Sequence, residues 1–264
     1  MSITRQAAVA GMFYPSNVEE LHNVVSSFLQ AAETDELTMT RPVAIIAPHA
    51  GYIYSGSIAA SVYARLIRYR NDINRVILLG PSHRVPFTGL AASSADYFST
   101  PLGKIPLDKK SIEQVSRLPQ VKVLDEAHAL EHSLEVHLPF LQEVLGEFTL
   151  IPLVVGESRP EDVAAVLDVL WEDSGTLIVV SSDLSHYHDY ATAKQLDNAT
   201  SRNIENLNSQ GIQYDDACGR NPVNGLIDFA KSHNLNAHTV DLRNSGDTAG
   251  TKDKVVGYGA YVFE

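Results

Sequence analysis

One cysteine, Cys218, stands in 264 residues, so no disulfide can form within the chain, and a reducing cytoplasm is its expected setting. Long apolar runs are missing too. No stretch of eighteen apolar residues occurs, which argues against a membrane-spanning helix. The first residues, MSITRQAAVAGMFYP, lack the apolar core of a secretory signal. Basic residues are scarce: 20 Lys and Arg against 32 Asp and Glu give a net charge of -12. On average such a field repels nucleic-acid backbones and anionic lipid, so neither is an expected partner. Internal repeats, low-complexity tracts and linkers are also absent. With 44% apolar residues the chain can bury one sizeable core, and a single domain over residues 1–264 is the expectation.

What is present is a repeated grammar. In residues 43–57, VAIIAPHAGYIYSGS, an apolar run ends at Pro48, His49 follows, and a helical pattern begins. Residues 75–84, RVILLGPSHR, run into Gly80 and Pro81 with His83 just after. Residues 176–186, TLIVVSSDLSH, run into two serines with Asp183 and His186 just after. Continuous apolar runs closed by Gly, Pro or Ser read as strands buried on both faces. In an α/β sheet, ligands bind beyond the carboxyl ends of such strands. A lone histidine after a strand is more often a loop residue bonded to backbone than a ligand; three polar groups at one end form a constellation.

Elsewhere the pattern predicts an amphipathic helix from Val18, capped by Ser16 or Asn17, and a polar connection over residues 33–41. The helix after His49 should leave backbone N–H groups free at its amino end for an anion or polarised oxygen. Short hairpin strands are expected between His83 and Leu107. Residues 126–141, EAHALEHSLEVHLPFL, hold His128, His132 and His137. If helical, this stretch pairs His128 with His132 and Glu131 with Glu135 on shared faces, with Pro139 marking a bend or a helix start. A solvated polar face is the plain alternative. Asp183 could cap a following helix. Cys218, next to the helix start in CGRNP, could carry a lowered pKa or be inert packing.

Taken together, APHAGY, LGPSH, EHSLEVHLPF, SSDLSH, CGRNP and the terminal GYGAY resemble the Memo-like family, whose prokaryotic members are called AmmeMemoRadiSam system protein B. The likeness runs almost end to end. It implies a three-layer α/β/α domain around a mixed, mainly parallel sheet, related in fold to the class III extradiol ring-cleaving dioxygenases. The resemblance makes His49 and His83 metal ligands, His186 the acid/base histidine, and Asp183 its neighbour. Animal Memo proteins place a cysteine in the last loop; here Thr248 stands opposite it, with Asp247 adjacent. A carboxylate suits a hard divalent ion better than a neutral hydroxyl, which favours Asp247 as third ligand.

The function this implies is a metal-binding protein. One form is an iron(II) oxidoreductase of dioxygenase type acting on a small-molecule substrate, with His186 moving a proton and His132 or Asp183 orienting the substrate. Zinc or copper is the alternative metal. A non-catalytic metal-binding or scaffold protein working with AMMECR-like and radical S-adenosylmethionine proteins is the competing reading, and a metal-dependent hydrolase a third. A homo-oligomer is compatible with all three.

Overall fold

The computed structural model describes residues 2–32, 40–171 and 175–264. Most of the connection expected over residues 33–41 therefore lies outside the described residues. In chain order the elements are β1 (Thr4–Arg5), α1 (Val18–Ala32), β2 (Ala44–Ala47), α2 (Tyr52–Tyr63), β3 (Arg75–Pro81), β4 (Leu90–Ala92) and β5 (Tyr97–Thr100). Then follow β6 (Gly103–Pro106), α3 (Lys109–Val115), β7 (Val121–Val123), α4 (Asp125–Ala129), α5 (Leu138–Leu145), β8 (Thr149–Val155) and α6 (Pro160–Leu170). The chain closes with β9 (Thr176–Ser181), β10 (His186–His188), α7 (Tyr190–Glu205), α8 (Arg220–Ser232), β11 (Ala237–Asn244) and β12 (Val255–Phe263).

Nine strands form the main sheet in the order β10-β12-β2-β9-β3-β8-β4-β7, with β11 on β12. Its centre, β2-β9-β3-β8, is parallel, while β12 against β2 and β4 against β8 are antiparallel. The central strands are wholly buried: Ile45, Ile46, Ile77, Leu78, Val179 and Val180 have no exposed surface. That explains the unbroken apolar runs, since a strand covered on both faces has no side for polar residues. Helices cover both faces. α2 packs on β2, β11 and β12 beside α1 and α5; α8 packs on β3 and β9 beside α6, which meets α3. The fold is thus α/β with a large mixed sheet. A three-stranded sheet, β1-β5-β6, stands apart and contains the expected hairpin. Among the described residues no helix is long and apolar enough to cross a membrane.

Residues 126–141 are not one helix. α4 stops at Ala129, residues 130–134 are irregular, a short 3-10 turn covers Glu135–His137, and Pro139 sits in the first turn of α5. Proline is tolerated there because that N–H has no helical partner. His128 and His132 therefore do not share a helical face. Asp183 caps no helix either: α7 begins later and is capped by Asp189, which accepts from the backbone of Ala191 and Thr192.

Candidate metal centre

β2, β9 and β3 are neighbours, and their ends are level: Ala47 pairs with Ser181, and Leu79 with Val180. His49, Asp183 and His83 each follow within two residues of their strand's end, so all three groups emerge at one rim. The imidazole centroids of His49 and His83 are 5.1 Å apart. Between them stands a third ring. His132 lies 5.4 Å from His49 and 4.5 Å from His83, and one nitrogen from each of the three falls within 4.8 Å of the others.

Asp247, expected as the third ligand, is outside this group. Its Oδ1 accepts from the Tyr190 hydroxyl at 2.6 Å and its Oδ2 from the Asn244 backbone N–H at 3.0 Å, which makes it one half of a capping box. The carboxylate is spent on its own turn and on the Tyr190 hydroxyl at the start of α7. Thr248 is outside the group as well, with its hydroxyl 2.9 Å from the Tyr54 carbonyl. The group beside His49 and His83 is instead an imidazole, His132, from the irregular loop between α4 and α5.

Hydrogen bonds fix two of the three tautomers. The Ser181 hydroxyl donates to the Ser133 carbonyl (2.6 Å), so at its 2.6 Å contact with His49 Nδ1 it must accept. His49 therefore carries its proton on Nδ1 and offers a lone pair on Nε2. His83 Nδ1 donates to Glu131 Oε1 at 2.9 Å, and the His83 backbone N–H donates to Oε2 at 2.6 Å. Glu131 Oε1 also accepts from the backbone N–H groups of His132 and Ser133. One carboxylate thus holds two of the three histidines. Buried His132 Nδ1 lies 3.3 Å from that carboxylate but makes no hydrogen bond. Gly80, in LGPSH, is required because a Cβ there would lie 2.7 Å from Ser133 Oγ.

The electrostatics favour neutral rings at His49 and His132. Burial, then the neighbouring His83 and His132, holds His49 well below the ordinary histidine value. Burial and His83 bring His132 down to about 4. Burial pushes the carboxyl of Glu131 up, but the hydrogen bonds and charge of His83 outweigh it and hold Glu131 at about 2. Clustered imidazoles, backed by an ionised carboxylate that holds one ring at its Nδ1, are the donor chemistry of a transition-metal site. The residues fit such an ion.

Above the rings is a cavity of about 1110 Å³ lined by Phe13, Asp183, His186, Tyr187, Cys218 and Tyr258 among others. Asp183 Oδ1 accepts from the His49 backbone N–H at 2.7 Å, and burial raises its pKa to about 7. Burial lowers that of His186. Tyr187, between two cavity histidines, has φ 62, a left-handed backbone that non-glycine residues adopt at a cost and that recurs at functional sites. The amino end of α2 offers less than expected: the Tyr52 N–H goes to the Phe13 carbonyl at 2.8 Å, and the His49 N–H to Asp183. Cys218, whose surroundings suggested a lowered pKa, has it raised by burial and by Asp183. It lies in the cavity, 3.3 Å from His49 Nε2.

Residues 5–262 match the family described as Memo-like protein. The chain belongs to the Memo-like family. A MEMO1 family protein of Aquifex aeolicus is 36% identical over 270 residues, covering 98% of both chains. One from Methanosarcina mazei is 34% identical over 275 residues, covering 98% of this chain and 99% of that one. The fold is similar to that of the uncharacterized protein JW3007 from Escherichia coli K12, with TM-score 0.53 and 11% identity over 83% of this chain and 99% of the other. Within this Memo-like chain, the tripled imidazole and Cys218 are what sequence reading missed. The sequence assigns His132 to orienting the substrate, on a helical spacing that residues 130–134 do not have. The signal for Cys218 was the glycine behind it: a Cβ on Gly219 would lie 2.5 Å from the Ser181 carbonyl, which pins CGRNP to the end of β9.

Proposed function

We propose that His49, His83 and His132 hold a divalent transition-metal ion and that the chain is a metal-dependent oxidoreductase acting on a small oxygen-bearing organic molecule. The observation that carries this is three imidazoles converging, two with lone pairs fixed inward, at the base of a cavity far larger than an ion needs. When bound, an ion such as iron(II) supplies Lewis acidity and access to dioxygen chemistry. The chain supplies the rest. Phe13, its ring 4.7 Å from His132, walls one side. Asp183, poised near neutrality by burial, and neutral His186 face the same space as proton acceptor and donor for a substrate hydroxyl.

The donor set also favours a second reading. Three histidines without a carboxylate are an arrangement that hydrolytic zinc uses, with a water on the open position. The test is anaerobic iron(II) and zinc titration, followed by assay. Near-stoichiometric binding that weakens at least about tenfold in His132→Ala supports the centre, and unchanged affinity overturns it. Oxygen consumption with catechols supports the oxidoreductase; oxygen-independent ester hydrolysis supports the second reading. A stable complex with AMMECR-like or radical S-adenosylmethionine proteins that survives His186→Ala, with no turnover, would point to a scaffold.

A further inference from the structure

The terminal GYGAY strand has no part in the reading above, yet it is tied to the segment that delivers Asp183 and His186. The Leu184 N–H donates to the Gly257 carbonyl and the Gly257 N–H to the Ser185 carbonyl, each at 2.8 Å, and Val256 pairs with His186. Farther along, β12 pairs with β2, Tyr261 opposite Ile46. Three residues back from Tyr261 and three on from Ile46, the same register sets Tyr258 level with His49. Side chains alternate along a strand. Gly257 and Gly259 face α7, since a Cβ on the first would strike the Asp197 carboxylate and one on the second the Tyr261 hydroxyl, which bonds Ser201. Val256 and Tyr258 turn the other way, and both line the cavity above the imidazoles.

Five tyrosines are buried among the described residues, and four of them have paired hydroxyls. Tyr14 bonds Glu135, Tyr52 the Val136 carbonyl, Tyr63 His137 and Tyr261 Ser201. That is the rule for a phenol inside a protein, whose polar end needs a partner. Tyr258 departs from it. The residue is only 2% exposed, yet among the described residues its hydroxyl makes no hydrogen bond, and its oxygen is not one of the unpaired atoms sealed away from solvent. A packed ring thus holds a spare donor at the wall of the cavity. Burial, with Asp183, Tyr54 and Tyr187 nearby, pushes its pKa further up, so the group stays an O–H.

We propose that Tyr258 is a further catalytic residue of the centre, its hydroxyl donating a hydrogen bond to a substrate oxygen that gains negative charge in the reaction. This rests on the three-histidine reading and deepens it, because it narrows the substrate class to molecules with two neighbouring oxygens, one for the ion and one for this donor. Asp183 and His186 move the proton. Tyr258 moves none, and stabilises the charge that the proton's removal leaves.

The test uses full-length protein loaded with zinc and two probes that offer paired oxygens, nitrocatechol and acetohydroxamate. Tyr258→Phe is expected to bind zinc within about twofold of wild type and to unfold at the same or a higher denaturant concentration, because an unpaired hydroxyl adds nothing to folding. It should bind nitrocatechol at least about tenfold more weakly, the size of a hydrogen bond to a charged group. The visible band that reports ionisation of the bound probe should also need a higher pH to appear. Equal probe affinity and equal ionisation in wild type and variant would overturn the proposal while leaving the three-histidine centre standing, as would wild-type zinc protein that binds neither probe. A lower unfolding midpoint in the variant would make the hydroxyl a structural group and overturn it too. Absence of zinc binding in wild type would overturn both readings.

Discussion

Two buried carboxylates four residues apart on one loop behave in opposite ways. Glu135 is saturated: it takes a hydrogen bond from Arg5 Nη1, two from the backbone N–H groups of Ala8 and Val9, and one from the Tyr14 hydroxyl at 2.6 Å. Arg5 in turn donates to the carbonyls of His128 and Glu131. Every strong contact ends inside the protein. Glu131 spends its contacts on His83, His132 and Ser133, and the rings it positions face a cavity with nitrogen lone pairs to spare. The difference teaches which buried charge is architecture and which is preparation for a ligand. A closed network holds the amino-terminal segment to the loop, and an open one presents donors.

Breaking the closed network should have the largest effect on stability. Arg5→Ala leaves Glu135 buried without its cation, and removing one partner of such a pair costs about 3–5 kcal/mol. Denaturant unfolding measures it. A loss below about 1 kcal/mol, the range of exposed pairs, would mean that the two carboxylates do not differ as described. Glu131→Gln is expected to do the reverse, lowering affinity for zinc or iron(II) by about 10–100-fold while the protein still folds, because an outer-shell partner orients the ligand. Calorimetric titration separates the two, since equal affinity in the variant would sink the positioning role.

A third carboxylate refines the contrast through pH. Asp197 on α7 is buried, accepts from the Ser185 N–H at 3.0 Å and packs against Gly257, and burial lifts its pKa to about 6. The raised value means that the folded state holds the proton more tightly than the unfolded state. Its stabilising contribution is full below the ordinary carboxylate value and is lost as pH rises through about 6. Asp197→Asn keeps an acceptor for Ser185 and removes the titration. Wild type and variant should be equally stable near pH 4. By pH 7–8 the variant should lead by something on the order of 2 kcal/mol. Parallel stability curves across that range would show that the group is not held as described.

Much of the fold was legible because burial on both faces leaves one mark, the unbroken apolar run, and the polar groups after each run mark the strand end. His49, Asp183 and His83 were placed at one rim that way. His132 was not placed correctly because its position comes from an irregular loop held by Glu131 and by Ser133 Oγ on the Pro81 carbonyl, contacts with no sequence period. Cys218 was hidden by distance: 169 residues separate it from His49. Asp247 reads as a ligand from sequence because a carboxylate near a site has that chemistry, and only the fold shows one oxygen taken by its own turn and the other by Tyr190.

That last residue gives the smallest expected effect and the sharpest boundary to the comparison. Asp247 is a third kind of carboxylate, one whose partners are a hydroxyl and a backbone N–H of its own turn. Asp247→Asn keeps an oxygen for one of these contacts and loses a net charge outside the ring cluster. Affinity for the ion should then change by less than about twofold, while His132→Ala on the same titration loses at least about tenfold. The reverse ranking would return the third ligand position to the acid. It would require the turn formed by Ser245–Asp247 to open when the ion binds, giving up both halves of its capping box for a single bond.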